Sequence, residues 1–272
     1  MPGLSMNTQE YIEKIKIELK LRGCSPRTIT SYLFFLKPFL KSVDDPATMN
    51  LDQVKVYLAS LIDVYCNKSR SLAISSLRFF FKRVIDRPDL FVKLETPKKE
   101  KHLPTVLTKE EVEMLIKSAY CDKSRTIIRM LYSSGLRVSE LTNLTPSNLD
   151  LKQNIGWVRK GKGSKDRMFK LAESIKDELD LSGKYVFSKN KPLSARNIQQ
   201  IVKKAAFRAG INKKVTPHTM RHSFATHLLE DGVNLLVIQQ LLGHENLETT
   251  RIYTHISQEQ IKNVKSPLDT LN

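Results

Sequence analysis

The stretch Thr216-Pro217-His218-Thr219-Met220-Arg221-His222-Ser223-Phe224-Ala225-Thr226-His227 reads as the opening of a helix that runs to Glu230. Thr216 is a capping residue, Pro217 suits the first helical position, where no backbone donor is needed, and Gly232 punctuates the end. His218 and Arg221, three apart, share one face near the positive end of the helix dipole, a place that already favours an anion. His218 and His222 also have the spacing of a helical zinc pair. Thr219, however, stands where a metalloprotease needs glutamate, no third ligand accompanies them, and Arg221 would repel the cation, so no metal is expected.

Working outward, the chain is mainly helical. Residues 194–209 and 234–242 read as helices, as does a segment from about 247 to 255, with Gly243 as a stop. Thr108-Lys109-Glu110-Glu111 is a capping box that starts a helix, another runs from about Lys123 to Gly135, and Arg137 opens the short helix after it. Residues 154–160 and 167–171 are short strands joined by Gly161-Lys162-Gly163-Ser164-Lys165-Asp166, and Tyr185-Val186-Phe187 is a candidate third strand. The first ninety residues read as four helices. Ser25 and Pro26 sign the second, and Asn50 and Asn67 are the expected caps of the third and fourth. Leu33, Leu36 and Leu40, then Val54, Leu58 and Leu61, then Leu77, Phe81 and Val84 recur at helical spacing and read as core. Residues 95–107, with two prolines, a charge cluster and no periodicity, read as a linker. The expected organisation is an all-helical unit over 1–94 and an α+β unit with a small antiparallel sheet over 108–272.

The 272 residues carry a formal charge of +17 and 40% apolar content. A chain of this length can bury two cores, and a surface this basic implies a polyanionic partner, nucleic acid above all. Both parts are cationic, with 15 Lys+Arg against 10 Asp+Glu over residues 1–95 and 30 against 18 over the remainder. That suits a clamp on one duplex. Cys24, Cys66 and Cys121 lack the paired spacing of a disulfide framework or zinc site and read as reduced thiols. The apolar run Tyr32-Leu33-Phe34-Phe35-Leu36 is too short to span a membrane and the N-terminus has no signal-peptide pattern, so a soluble cytoplasmic protein without a membrane partner is expected.

The chemistry-bearing residues form an ordered set: Arg137, the lysine-glycine turn around Lys162, His218, Arg221, His244 and Tyr253. Two arginines can clamp the non-bridging oxygens of a phosphodiester, histidines and a lysine can move protons, and a tyrosine hydroxyl can attack phosphorus. The lysine-glycine turn lacks the Gly-x-x-x-x-Gly-Lys-Ser/Thr spacing that wraps a triphosphate, so ATP use is not indicated.

Four segments carry a resemblance. They are Ser134-Gly135-Leu136-Arg137-Val138-Ser139-Glu140-Leu141, Gly161-Lys162-Gly163-Ser164-Lys165-Asp166-Arg167, Pro217 through His227, and Leu242-Gly243-His244 through Tyr253-Thr254-His255. With them the chain resembles the tyrosine recombinase family, and its Xer-type members within it, over nearly its whole length. The resemblance implies a helical N-terminal DNA-clamping domain and a catalytic domain that cuts and rejoins double-stranded DNA without metal, ATP or other cofactor. It implies that Arg137 and Arg221 neutralise the scissile phosphate, and that Tyr253 attacks it to give a 3′-phosphotyrosyl enzyme. His218 would help remove the tyrosine proton, Lys162 would protonate the departing 5′-oxygen, His244 would bond a phosphate oxygen, and Glu140 would orient its neighbours. Lys160 and Lys165 also lie near the turn; the Gly-Lys-Gly setting favours Lys162. Lys165, Arg167, Arg70 and Arg78 are candidate contacts to DNA.

The working assembly implied is a homotetramer on two duplexes, from a monomer or dimer off DNA, with resolution of chromosome dimers as the task. A tail after Tyr253, with Ile261, Val264, Leu268 and Leu271, would form a short helix that docks on a neighbour, as the resemblance implies, or, given Pro267 and its sparse apolar content, a frayed terminus. An integrase of a virus or mobile element shares the same site residues, and a type IB topoisomerase shares similar chemistry but not the two-domain layout. A DNA-binding architectural protein would explain the charge but not all six chemical groups.

Overall fold

The structure, a computed structural model, describes residues 7–91, 105–159, 166–243 and 264–270. It divides into two compact units, Met1–His102 and Leu103–Asn272. Both are built mainly of helices, with one small antiparallel sheet in the second, as the sequence implies.

The first unit contains α1 (Thr8–Leu21), α2 (Pro26–Ser42), α3 (Leu51–Ser60) and α4 (Asn67–Arg83). Asn7 and Asn50 close capping boxes with Glu10 and Gln53, and Ser25 accepts from Thr28 N with Pro26 behind it, so three helix starts are fixed by local side-chain chemistry. The fourth start lies one residue earlier than expected. Cys66 is the N-cap and makes no cap bond, while Asn67 is the first helical residue and its side chain accepts from Arg70 instead. The apolar faces meet in an aromatic cluster. Phe39, Phe80 and Phe81 are fully buried, and Phe80 stands edge-on to Tyr11 at 5.6 Å, to Phe39 at 6.1 Å and to Phe81 at 5.3 Å. Such rings supply much of the burial energy of a small helical unit and lock the helices against sliding.

The second unit contains α5 (Lys109–Lys117), α6 (Asp122–Ser134), α7 (Val138–Thr142), β1 (Leu149–Asp150), β2 (Ile155–Val158), β3 (Arg167–Lys170), α8 (Ala195–Arg208), α9 (Pro217–Glu230) and α10 (Leu235–Leu242). The strands pair antiparallel in the order β1-β2-β3. The third strand is therefore Leu149–Asp150. Tyr185-Val186-Phe187, expected as a strand, is a tight turn with a single bridge from Tyr185 to Ser188, and Val186 donates its N–H to Leu144 O. Gly156 pairs with Phe169, whose ring covers it so closely that an added Cβ would lie 2.3 Å from Phe169 Cζ.

α6 is the centre of this unit. Ile127, Ile128, Met130, Leu131 and Tyr132 are all fully buried, and α9 packs along it. Leu107, within the stretch read as linker, is fully buried too. Its N–H donates to Ser223 Oγ at 2.9 Å and its carbonyl lies 3.0 Å from His227 Nε2. A carbonyl can only accept, so Nε2 carries the proton, and Nδ1 accepts from Tyr132 Oη at 2.7 Å. Near the other end of the chain Val264, Ser266 and Leu268 are buried in the same unit and Pro267–Thr270 forms a 3₁₀ turn in place of the short α-helix expected there. Ser266 Oγ donates to Ser133 O at 3.3 Å, so this part of the tail packs on its own chain; Ile261 and Leu271 lie outside the described residues. Among the described residues no helix is long and apolar enough to cross a membrane.

Candidate active site

The site grows from two left-handed glycines that end helices. Gly135, with φ 59°, terminates α6 and turns the chain so that Arg137 becomes the N-cap of α7. Gly243, with φ 62°, terminates α10 immediately before His244. Between them stands Arg221, on the second turn of α9 and only 5% exposed.

Four side chains converge here. Glu140 sits one turn into α7 and takes Arg137 twice: Oε2 accepts from the Arg137 backbone N–H at 2.7 Å and Oε1 from Arg137 Nη1 at 2.8 Å. Arg167 Nη2 donates to Glu140 Oε2 at 2.5 Å. Arg167 Nη1 donates to Leu241 O, Arg221 Nη2 to Leu242 O, and Arg137 Nη2 to Gly243 O at 3.1 Å. Three successive carbonyls at the end of α10 are thus each met by a different guanidinium, which satisfies groups a helix C-terminus leaves open and suits its negative dipole end. Arg221 Nη1 reaches back to Gly135 O at 2.6 Å, tying α9 to the end of α6.

The cluster holds three cations against one carboxylate. Burial first, and then the charges of Arg137 and Arg167, press the Arg221 guanidinium down to about 9, with Glu140 opposing them. It remains cationic at neutral pH. Burial alone would raise the Glu140 carboxyl; Arg167 and Arg137 outweigh it and hold it below the ordinary 4.5. A site short of negative charge and lined by fork-shaped donors suits an oxyanion.

Of the expected site residues, Arg137, Arg221 and Glu140 are brought together. His218 stands exposed in the first turn of α9, one turn before Arg221. Burial, then His218 and Arg221, lower the neighbouring His222. Lys162, Lys165, His244 and Tyr253 lie outside the described residues, as does the expected helix at 247–255. Arg70 is half-buried on α4 and donates to Asn67; Arg78, also half-buried, lies two turns further along the same helix.

Arg167, a candidate contact to the DNA backbone, has its side chain 8% exposed and paired to Glu140. The reason is the period of the strand: Arg167 and Phe169 are two apart on β3 and so face the same way, and Phe169 is fully buried. That alternation was visible in the sequence and outweighs the local abundance of lysine.

Residues 105–260 match the phage integrase family and residues 11–89 match the phage integrase N-terminal SAM-like domain. The chain is 37% identical to tyrosine recombinase XerA of Thermococcus kodakarensis and 39% identical to that of Thermococcus onnurineus, in each case over 93% of both chains. It is 35% identical to tyrosine recombinase XerD of Staphylococcus haemolyticus, over 93% of this chain and 95% of the relative. Among solved structures, a lambda integrase tetramer bound to a Holliday junction is similar in fold with a TM-score of 0.75 at 20% identity, covering 91% of this chain and 77% of that one. XerH bound to its difH substrate gives 0.67 at 22% identity, covering 96% and 84%. The archaeal XerA enzymes to which the sequence motifs point are among these relatives, and the chain belongs to the phage integrase family, among its Xer-type tyrosine recombinases.

Proposed function

We propose that this site-specific DNA recombinase cleaves and rejoins double-stranded DNA through a 3′-phosphotyrosyl intermediate on Tyr253. The observation that carries the reading is the convergence of Arg137 and Arg221 on one spot beside the end of α10, in a cluster with an excess of positive charge. Among the described residues the contacts above use two of the five N–H groups of each guanidinium, and the others suit a phosphodiester.

In the proposed step the Tyr253 oxygen bonds to phosphorus as the bond to the 5′-oxygen breaks. The phenol proton leaves toward His218, and Lys162 delivers a proton to the departing 5′-oxygen. Arg137, Arg221 and His244 carry the charge that builds on the non-bridging oxygens, and Glu140 keeps Arg137 in place. The phosphotyrosyl ester retains the bond energy, so a 5′-hydroxyl of another strand can attack it and reseal the backbone with neither ATP nor metal. The working form is a homotetramer on two duplexes in the cytoplasm, a state the fold likeness to a lambda integrase tetramer on a Holliday junction supports, and the task is resolution of chromosome dimers.

The test is covalent trapping on a nicked duplex carrying the recombination site, without metal or ATP. Wild type is expected to give a denaturant-resistant protein–DNA adduct and Tyr253→Phe none. Tight binding to a verified site with no adduct from wild type would overturn the reading in favour of an architectural DNA-binding protein. Recombination restricted to the ends of a mobile element would overturn the assigned task while leaving the chemistry.

A further inference from the structure

We propose that Arg167 is a positioning residue for strand cleavage, one that sets the Arg137 guanidinium through Glu140 and through the carbonyl end of α10. The inference rests on the recombinase reading above. It starts from the sharing of one carboxylate. Glu140 Oε2 accepts from both Arg167 Nη2 and the Arg137 backbone N–H, which leaves Oε1 facing Arg137 Nη1. Two donors on one oxygen fix the carboxylate plane, and the fixed plane fixes the fork. Without Arg167 only the Arg137 amide would hold Oε2, and the carboxylate could rotate about its last bond.

The second arm points the same way. Arg167 Nη1 donates to Leu241 O, next to the carbonyls that take Arg221 and Arg137. One guanidinium therefore spans α7, which Arg137 caps, and the end of α10, whose carbonyls take both Arg221 and Arg137. The side chain also lies directly on Gly243, where an added Cβ would stand 2.5 Å from Arg167 Cδ, so it packs against the residue that precedes His244. In the chain it immediately follows the segment carrying Lys162, and on β3 its backbone is paired with Val158. Arg167 thus joins three parts of the site: the strand that follows the segment carrying Lys162, the carboxylate under Arg137, and the glycine before His244.

Stability alone does not account for such a residue. A third guanidinium buried beside two others adds repulsion and desolvation, and an apolar side chain of similar volume would fill the space without either. Lysine would not serve, because a single ammonium cannot present two fixed donors to acceptors on different elements.

The test is single-turnover cleavage of a nicked duplex containing a 5′-bridging phosphorothiolate, whose better leaving group keeps slow variants measurable. Wild type, Arg167→Met, Arg167→Lys, Arg137→Lys and the Arg167→Met/Arg137→Lys double variant are compared, with DNA affinity and thermal melting of each measured alongside. Arg167→Met is expected to slow cleavage by about 10–100-fold, as loss of an orienting partner does, with DNA affinity changed by less than about 3-fold. Arg167→Lys should recover part of the rate. In the Arg137→Lys background the Arg167→Met change should add little, because the two act through one group.

Cleavage by Arg167→Met at the wild-type rate overturns the inference. So does a loss that multiplies in full with that of Arg137→Lys, or one that follows DNA affinity. If Arg167→Met does not fold, a well-folded Arg167→Lys cleaving at the wild-type rate also overturns it. Failure of wild type itself to form an adduct on a site it binds would count against the Tyr253 reading, not against Arg167.

Discussion

Substituting Gly135 by alanine probes the turn on which the placement of Arg137 and Arg221 depends. Gly135 has φ 59°, where an L residue is strained by about 1–2 kcal/mol. The new Cβ would lie 2.6 Å from Phe224 Cδ1 and 2.8 Å from Leu242 Cδ2. Phe224 is fully buried and Leu242 is 5% exposed, so neither ring nor methyl can swing out. Overpacking of this kind costs about 1–3 kcal/mol, and the lower freedom of alanine in the unfolded chain returns about 0.4–1. The net loss is about 2–4 kcal/mol, which for a unit of this size lowers Tm by roughly 5–15 °C. Scanning calorimetry of the full chain measures it. Gly210→Ala is the comparator: Gly210 has φ 68° but nothing within 4 Å of an added Cβ, so it carries the strain without the collision. Gly135→Ala should also slow DNA cleavage well below its Tm, because Gly135 O anchors Arg221 Nη1. Equal losses in the two variants, or a Tm for Gly135→Ala within about 1 °C of wild type, would refute the reasoning, because strain alone cannot explain more than the comparator shows.

Other outcomes follow from the same structure. Phe80→Ala, at the centre of the first unit's aromatic cluster, should destabilise that unit by about 3–5 kcal/mol in urea denaturation; a loss under about 1 kcal/mol would mean the cluster is not its core. Glu140→Gln should cost about 3–5 kcal/mol by leaving Arg137 and Arg167 without their counter-charge, and added sulfate should restore part of the melting temperature; absence of any anion effect would argue against an oxyanion site. Because the Glu140 carboxyl is held below its ordinary 4.5, its contribution is complete above that value and disappears as pH falls through the lowered one, so acid should release the cluster below pH 4.5. His227 runs to the same side of neutrality for a different reason. Burial holds it below its ordinary 6.5 despite Glu230, Asp231 and the Leu107 carbonyl, so the unfolded chain takes the proton first and stability declines as pH drops below 6.5. His227→Gln should flatten that decline between pH 7.5 and 5.5; an unchanged slope would assign it elsewhere, His222 being the next group with a lowered value.

Much of the architecture could be read from short-range signals. Ser25, Asn50, Thr108 and Thr216 are caps as expected, and Gly135 and Gly243 are the left-handed stops, because each of these depends on the chemistry of one or two residues and their nearest backbone. The misreadings come from the same locality. Asn67 and Cys66 differ by one position, and the asparagine was engaged by Arg70 rather than by the backbone. Tyr185-Val186-Phe187 has strand composition, but its hydrogen bonds go to a turn and to Leu144, while the true edge strand of two residues is too short to show any period. In the site, the pairing of Glu140 with Arg137 follows what the family resemblance implies, that Glu140 orients its neighbours. The meeting of Arg137, Arg167 and Arg221 at one helix end was not legible in the sequence, since residues 30 to 84 positions apart are brought together only by packing of α7, β3, α9 and α10.

The clamp on Leu107 has a mechanical consequence. Its N–H and carbonyl are both held by α9, the helix that also carries Arg221, through Ser223 on one side and His227 on the other. A pull along the chain from residues before 105 is therefore not dissipated by peeling α5 from its free end. It is delivered crosswise to the middle of α9, whose His227 is braced by Tyr132 of α6. The entry point of this unit acts as a hard anchorage, and force applied there is borne by the same two helices that hold the arginine in register.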